Sequence, residues 1–387
     1  MDFLFNIFHT LSHGLIGYLV PFLFVLTIVV FFRELGHFLV ARWAGVRVLT
    51  FSLGFGPELF GFNDRTGTRW KLSAIPLGGY VKFFGDASEA STPASSVLAA
   101  MSEKERQDSF HHKSVARRAA IVAAGPIANF ILAIVIFAGL FTFYGKPNTS
   151  ARVDTVQPSS AAAAAGFKPG DVVTKIDGQT IETFVDMQRI VSTRAGEELH
   201  FTVKRGDRVE NLTATPELRE VKDSFNNVHK IGVLGISRSS TPGEHAVERV
   251  DPATGLWLGV KETWFVIDQT VAYIGRLFVG RESVDQLGGP IRIAQISGQV
   301  ATIGIAALVH LTAVLSVSIG LLNLFPVPML DGGHLLFYAV EVIQGRPLSE
   351  RKQEMGFRIG LTLVMMLMIF TAFNDTRQLS WVRALFG

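Results

Sequence analysis

The sequence predicts an α-helical membrane protein with a β-rich domain inserted between its second and third membrane helices. Hydrophobic residues make up 48% of the 387 positions, and they cluster in four blocks that are long enough to cross a bilayer. A polar stretch of roughly 150 residues separates the second block from the third, which is enough for a domain. The chain contains no cysteine, so a metal site would have to use His, Asp or Glu side chains.

Each of the four apolar blocks is interpreted as one membrane helix. The first block continues into Glu34 and His37 without a small-residue cleavage site, so we expect it to be retained rather than removed as a signal peptide. The last block has about 17 residues, near the lower limit for spanning. The predicted helices cover residues 14–42, 119–144, 301–325 and 357–373.

The distribution of basic residues predicts the orientation in the membrane. Eleven Lys and Arg residues lie between positions 42 and 118, whereas the first thirteen residues contain none. Because cytoplasmic loops carry an excess of Lys and Arg, this loop is placed in the cytoplasm, together with the basic loop after the third helix. The protein is then expected in the bacterial inner (cytoplasmic) membrane, with both termini and the inserted domain on the periplasmic side.

The inserted domain has the pattern of short strands and helices. ARVDTVQPSSAAAAAGFKPGDVVTKIDGQTI, residues 151–181, reads as a strand, a small-residue helix, a turn, a strand and a tight Asp-Gly turn. This order resembles a PDZ domain of the bacterial protease type, of which AGFKPGDVV is the most specific part. The resemblance implies binding of extended peptides by strand addition. The alternative is a small β domain that only spaces or shields.

FFRELGHFLV, residues 31–40, places polar residues inside the first membrane helix. Glu34 and His37 are three residues apart and share a helix face. A charge inside a membrane helix costs about 2.5–3.5 kcal/mol and is usually functional. The stretch differs at Arg33 from the His-Glu-x-x-His pattern of zinc proteases. Taken alone, it fits either a metal site or a polar pair at the helix end.

NLFPVPMLDGGHLL, residues 323–336, follows the third membrane helix. Pro326 and Pro328 are expected to break the helix, and Gly332 and Gly333 to allow unusual backbone angles. Asp331 would then lie on irregular backbone at membrane depth, which is tolerated only beside a protein-enclosed or wet cavity. A carboxylate in that position favours a cation. A plain turn with a capping Asp is the alternative.

Together, the two motifs resemble the site-2 protease family of intramembrane zinc metalloproteases, and most closely its bacterial RseP type. Three further segments match that group: SLGFGPELFGF and WKLSAIPLGGYVKFFGD in a membrane-associated β-hairpin, and HHKSVARRAAIVAAGPIANF at the second helix. The resemblance covers nearly the whole chain, although some members carry two PDZ domains in tandem. It implies regulated intramembrane proteolysis, in which zinc-activated water cleaves the transmembrane segment of a single-span membrane protein such as an anti-sigma-factor-like protein.

The resemblance assigns roles to individual residues. Glu34 corresponds to the general base, while His37 and Asp331 correspond to zinc ligands. Asn323 corresponds to a polar residue that helps to hold the unwound substrate, and the hairpin is expected to pair with that substrate. The hairpin residues assigned to substrate binding are Gly54, Phe55, Gly56, Gly78, Gly79 and Tyr80.

Arg33 does not fit this assignment, because it occupies the position of the remaining zinc ligand. Guanidinium has no lone pair to give and keeps its proton in proteins, so it cannot bind zinc. His334 is a nearby substitute ligand, and an ion pair of Arg33 with Glu34 or Asp331 is the alternative to a metal. The function predicted from the sequence is therefore that of a zinc endopeptidase, and the alternative is an inactive relative that binds membrane proteins through the PDZ-like domain and the hairpin.

The partners implied are thus the lipid bilayer and single-span membrane proteins, with peptide ends at the PDZ-like domain. No basic-aromatic patch of the nucleic-acid-binding type occurs, so no nucleic acid is expected. The predicted parts of the chain are residues 1–45, the first membrane helix with E-L-G-H; 46–118, a cytoplasmic-side loop with the β-hairpin; 119–145, the second helix; 150–218, the PDZ-like domain; 219–300, a linker with a GGPI segment; 301–345, the third helix and L-D-G-G turn; and 357–387, the fourth helix and C-terminus.

Overall fold

The computed structural model describes residues 2–86, 100–147, 150–222, 228–239, 247–280 and 288–378. Residues 87–99 of the predicted loop and 379–387 of the predicted C-terminal part therefore lie outside the described residues. The chain divides into two compact units. One unit lies within Met1–Ala138 and Leu256–Gly387, and the other within Gly139–Gly255.

The N-terminal part of the chain consists of two long helices joined by a β-hairpin and a short helix. The membrane blocks are helical because uninterrupted apolar residues satisfy their backbone groups only within a helix when no water is present. In chain order, the elements are α1 (Asp2–Trp43), β1 (Val48–Asn63), β2 (Arg69–Phe83), α2 (Glu103–Asp108) and α3 (Val115–Tyr144).

The two long strands of the hairpin bend so that they form four sheet segments. Phe51 pairs with both Val81 and Trp70, and Phe62 also pairs with Trp70. The segments therefore lie in the order 79–83, 48–53, 69–73 and 58–63, and residues 79–83 form one outer edge. The bends need glycine: Gly54 has a φ of 88°, and a Cβ there would lie 2.7 Å from the Ile75 carbonyl oxygen.

The second unit is β-rich. A four-stranded sheet contains the segments 179–180, 172–176, 199–205 and 208–214 in that order, and the unit also contains two-stranded pairs. The predicted Asp-Gly turn is present, because Asp177 and Gly178 both have positive φ. The elements are β3 (Lys146–Pro147), β4 (Thr155–Val156), α4 (Ala161–Ala164), β5 (Val172–Ile176), β6 (Gln179–Thr180), α5 (Phe184–Thr193), β7 (Leu199–Arg205), β8 (Arg208–Ala214), β9 (Glu217–Lys222), β10 (Val228–Val233), β11 (Ile236–Ser237) and β12 (Val247–Glu248).

A buried ion pair supports the second unit. Arg205 Nε and Nη2 donate to the two carboxylate oxygens of Asp171, each at 2.7 Å. Burial opposes ionisation of Asp171, but the hydrogen bonds from Arg205 and from the Lys168 backbone, together with the positive charges of Arg205 and Lys168, hold the pKa of the carboxyl below its usual 3.8. The AGFKPGDVV turn is thus tied to strand β7 through its aspartate.

The C-terminal part of the chain is helical. Its elements are α6 (Pro252–Phe278), α7 (Pro290–Ile303), α8 (Ile305–Asn323), α9 (Asp331–Gln344) and α10 (Glu350–Gln378). The linker predicted for 219–300 is wrong for much of that range, because its described residues include four strands and two helices. The long helix α6 was missed because its Lys, Glu and Asp residues interrupt the apolar run, and the helix is too polar to read as a membrane span.

The described residues include four helices with the length and apolarity of membrane spans, as the sequence predicted. The fourth is longer than expected, because the polar residues on both sides of its apolar block continue the helix. The four candidate spans are Ile16–Trp43, Val115–Tyr144, Ile305–Asn323 and Arg351–Thr376. The fold class is therefore an α-helical membrane protein with an inserted β-rich unit.

Candidate functional site

One face of α1 supplies three of the polar side chains of the site. Arg33 and His37 are four residues apart and Glu34 lies between them, so all three project from neighbouring positions on the helix. Glu34 and His37 are 3% and 7% exposed. Buried polar groups require partners, and the partners come from α3 and α9.

Asp331 is the first residue of helix α9 and is buried. The expectation of unusual backbone angles at Gly332 and Gly333 is wrong, because both residues are helical. They are small for another reason: a Cβ on Gly332 would lie 2.2 Å from the Leu324 carbonyl oxygen. The unusual angle is at Met329, whose φ of 86° carries a strain of about 1–3 kcal/mol.

Arg33 bridges the carboxylates of the site. Its Nε lies 3.2 Å from Asp331 Oδ2 and its Nη2 lies 3.3 Å from Asp331 Oδ1. Its Nη1 is 3.4 Å from Glu34 Oε1. Planar guanidinium matches a carboxylate through two parallel N–H groups, so Arg33 engages both oxygens of Asp331. The ion pair considered from the sequence is present, and it includes both carboxylates rather than one.

The imidazole of His37 is held in place from α3. His37 Nδ1 lies 2.9 Å from the Ile121 carbonyl oxygen, which directs Nε2 towards Asp331 Oδ2 at 3.6 Å. A Cβ on Gly125 would lie 2.1 Å from His37 Nε2, so only glycine leaves room for the ring. The sequence analysis did not single out Gly125, although a glycine before Pro126 within an apolar helix was a visible signal.

A cavity of about 120 Å³ lies beside these side chains. Gly79 and Tyr80 line it from the hairpin, at the sheet edge described above, together with Val81 and Phe83. The hairpin edge and the polar face of α1 therefore open onto the same small space. Its remaining lining residues are Arg33, Glu34, His37, Phe110, Val122, Met329, Asp331, His334, Tyr338 and Phe357.

The other residues assigned to substrate binding lie outside this lining. Phe55 stacks on Tyr80 with ring centroids 6.0 Å apart, and Gly78 accommodates the Phe55 ring. Gly54 and Gly56 lie at the bend of β1 next to Phe55. Asn323 ends α8, and its Nδ2 donates to the Ile319 carbonyl oxygen of the same helix at 2.9 Å, so its amide is engaged away from the cavity.

Three other histidines among the described residues, His334, His111 and His310, have contacts of their own. His334 lines the cavity, but its ring packs against Phe357 at 5.3 Å. His111 Nε2 lies 2.9 Å from Asp86 Oδ1. The ring of His310 packs against Phe137 at 5.4 Å. Among the described residues, none of these three joins His37 and Asp331 in a group arranged to hold a metal ion.

Comparison with known sequences gives the family. The sequence model of peptidase family M50 matches residues 21–367. The chain belongs to peptidase family M50. This confirms membership of the site-2 protease family, which the paired motifs predicted.

Several M50 relatives match nearly the whole chain. A candidate zinc metalloprotease of Agrobacterium fabrum, Atu1380, is 53% identical over 94% of this chain and 97% of its own length. Metalloprotease MmpA of Caulobacter vibrioides is 42% identical over 94% of this chain and 96% of its own. Among solved structures, the PDZ domain of an SdrC-like protein from Listeria innocua matches 23% of this chain and 91% of its own, with 20% identity and a TM-score of 0.19.

The M50 family implies zinc, and the residues present do not fit it. Two ligand atoms on one tetrahedral zinc ion lie about 3.3 Å apart, since each bond is about 2.0–2.1 Å long. His37 Nε2 and Asp331 Oδ2, at 3.6 Å, are close to that separation. However, Arg33 occupies both oxygens of Asp331 and supplies no lone pair. Among the described residues, no group of three or more His, Asp and Glu side chains is arranged to hold a metal ion.

Proposed function

We propose that this M50 protein binds transmembrane segments of single-span membrane proteins without hydrolysing them. One observation carries the proposal: the guanidinium of Arg33 holds Asp331 through two hydrogen bonds and also pairs with Glu34. A catalytic zinc site normally has three protein ligands and one open position for water. Here a cation takes the place of one ligand and engages another.

The general base is affected as well. Glu34 corresponds to the residue that removes a proton from water, and it faces a fixed cation at 3.4 Å. The ion pair engages the Glu34 carboxylate, which in the family contacts the zinc-bound water. Arg33 therefore engages both the carboxylate that corresponds to a metal ligand and the carboxylate that corresponds to the general base.

The cavity and the hairpin edge support a retained binding function. A helical substrate has its backbone hydrogen bonds within the helix, so a bound segment must unwind and find new partners. Residues 79–83 form an outer edge of the hairpin sheet, and Gly79, Tyr80, Val81 and Phe83 line the cavity. Strand addition to a sheet edge binds extended peptides. Phe55, stacked on Tyr80, stiffens this edge. Asn323, Gly54 and Gly56 lie outside the cavity lining. They are proposed to support substrate binding without lining the cavity.

The inserted unit is proposed to act as a PDZ-like peptide-binding domain. Its AGFKPGDVV turn is braced by the Asp171–Arg205 pair, and strand addition is the binding mode expected of such a domain. The basic loop between α1 and α3 supports an orientation in which this unit and both termini are periplasmic and the helices span the bacterial inner membrane.

A second candidate is the zinc endopeptidase of the family. It is favoured by the near-ligand spacing of His37 and Asp331 and by the fixed orientation of the His37 ring. For this chain to work in that way, Arg33 must leave Asp331, and another group must complete the metal site. His334 is the one further histidine that lines the cavity within the described residues.

Co-expression with a single-span test substrate separates the two functions. The unaltered chain is expected to co-purify with the intact substrate, and Glu34→Gln is expected to leave both capture and substrate length unchanged. The variant Arg33→His is expected to cleave the substrate, and adding Glu34→Gln to it is expected to abolish cleavage. The proposal fails if the unaltered chain cleaves and Glu34→Gln stops it, which is the result that the endopeptidase predicts.

A further inference from the structure

A groove of about 920 Å³ lies where α1 ends and α3 begins. Its lining has two kinds of surface. Val40, Trp43 and Ala120 form an apolar side, while Arg106, Lys113 and Arg117 form a basic side. It shares no lining residue with the cavity at Arg33, so any function it has is separate from the candidate site.

Basic residues outnumber acidic residues in the lining of the groove. Asp108 is the one acidic residue in the lining, so three basic side chains leave an excess of two positive charges. Within the described part of the chain, the guanidiniums of Arg106 and Arg117 have no hydrogen bond or ion pair. Burial and repulsion by Arg117 lower the pKa of Lys113, as expected where cations are crowded. The arrangement is suited to an anion.

The groove lies at the level of the membrane boundary. Trp43 is the last residue of the first candidate span, and Val115 is the first residue of the second. Trp43 is 87% exposed, and tryptophan at a span end prefers the lipid headgroup region. Lys113 and Arg117 lie within two residues of the start of the second span, whereas Val40 and Ala120 lie about one turn inside the spans.

We propose that this groove binds the phosphate-bearing headgroup of an anionic phospholipid. Arginine recognises phosphate oxygens through paired N–H donors, and basic pockets between membrane helices bind anionic headgroups. The apolar side, formed by Val40, Trp43 and Ala120, takes the first methylenes of the acyl chains. A free phosphate ion would use the same cations but would leave that apolar side without a partner.

The positive-inside rule does not account for this arrangement. The orientation of the protein in the membrane depends on the number of basic residues in the loop and does not depend on whether those residues surround a groove. Arg65 and Lys104 belong to the same loop, and both are exposed and absent from the groove lining. They serve as a matched control, because replacing Arg65 and Lys104 lowers the charge of the loop by two, as replacing Arg106 and Arg117 does.

Lipid retention by the full chain tests the proposal. The chain and its variants are reconstituted in nanodiscs of phosphatidylcholine with increasing phosphatidylglycerol, and retained lipid is counted by native mass spectrometry. For Arg106→Gln/Arg117→Gln, we expect phosphatidylglycerol binding to weaken about 30-fold, on the scale of basic residues at an anionic surface. We expect the control Arg65→Gln/Lys104→Gln to stay within about twofold of the unaltered chain. Arg106→Lys/Arg117→Lys keeps the charges and is expected to retain most of the binding.

Three results would overturn the proposal. The first is equal weakening by the control pair, which would indicate a diffuse charge effect. The second is the same retention of phosphatidylcholine and phosphatidylglycerol. The third is binding of inorganic phosphate that phosphatidylglycerol does not displace, which would identify a soluble anion as the ligand. Unchanged thermal unfolding of Arg106→Gln/Arg117→Gln is required for each comparison. If that double variant does not fold, the single variants Arg106→Gln and Arg117→Gln take its place, each with an expected loss of about fivefold.

Discussion

Replacing Arg33 by histidine is predicted to convert the ion-paired site into a zinc site. The new imidazole would project from α1 one turn before His37, which makes the pair typical of two zinc ligands on one helix face. Asp331 would lose its guanidinium partner and could serve as the third ligand. His37 is already held by the Ile121 carbonyl oxygen at 2.9 Å, so its ring needs no reorientation.

The expected gain in zinc affinity is large. Two unit charges about 4 Å apart interact by about 4 kcal/mol at an effective dielectric constant of about 20. A dication next to Arg33 is therefore disfavoured by about 8 kcal/mol, which corresponds to nearly six powers of ten in affinity. Restoring a third ligand adds to this gain. The change should thus be visible as an all-or-none difference in zinc content.

Metal analysis and thermal unfolding provide the assay. Without zinc, Arg33→His leaves the buried carboxylates of Glu34 and Asp331 unpaired, which is expected to cost about 3–5 kcal/mol. Added zinc should restore the stability by mass action. The matched control Arg33→Gln should be destabilised in the same way and should gain nothing from zinc. If Arg33→His holds no zinc and unfolds like the unaltered chain, the reasoning is refuted.

Two further variants test other parts of the structure. Gly125→Ala, whose methyl group would overlap the His37 ring, should destabilise the protein by about 1–3 kcal/mol in thermal unfolding. Gly139→Ala on the same helix has open space at its Cβ position and should be neutral or slightly stabilising. The Asp171–Arg205 pair should contribute its full stabilisation of the inserted unit at pH values above about 3.8, the pKa of the Asp171 carboxyl in the unfolded chain. This contribution should disappear as the pH falls through the lower pKa that the carboxyl has in the folded unit.

Hydrogen-exchange protection of strand β5, corrected for intrinsic rates, measures that pH effect. Protection should fall at acidic pH in the unaltered chain, and Arg205→Gln should lower it at neutral pH and flatten the pH dependence. Equal destabilisation by the two glycine substitutions would contradict the tight fit around His37. If the hydrogen-exchange protection of β5 changes neither with pH nor in Arg205→Gln, the proposal that the Asp171–Arg205 pair stabilises the AGFKPGDVV turn is contradicted.

The membrane helices and the family could be predicted from the sequence because their signals are local. Length and apolarity determine a span, and E-L-G-H with the Pro-Asp-Gly-Gly turn identifies the M50 family without any tertiary information. The same pattern indicated that Glu34, His37 and Asp331 would lie together. The structure brings them together through helices α1 and α9, which are separated by nearly 300 residues.

The parts that could not be predicted depend on contacts between distant segments. No local pattern says that Gly125 must be small, because the ring that requires the space belongs to another helix. Gly332 and Gly333 suggested unusual backbone angles, whereas they allow the start of α9 to approach the preceding turn. The sequence offered two partners for Arg33, and only the folded geometry shows that it reaches both Glu34 and Asp331.

The zinc content of the unaltered protein tests most directly whether Arg33 closes the metal site. The chain is purified from zinc-supplemented cells, washed with a weak chelator and measured by mass spectrometry of the metal. We predict less than about 0.1 zinc ions per chain, because one ligand is missing and a cation adjoins the site. One zinc ion per chain that is lost in His37→Ala would contradict the account, since it would show that the metal binds in spite of Arg33.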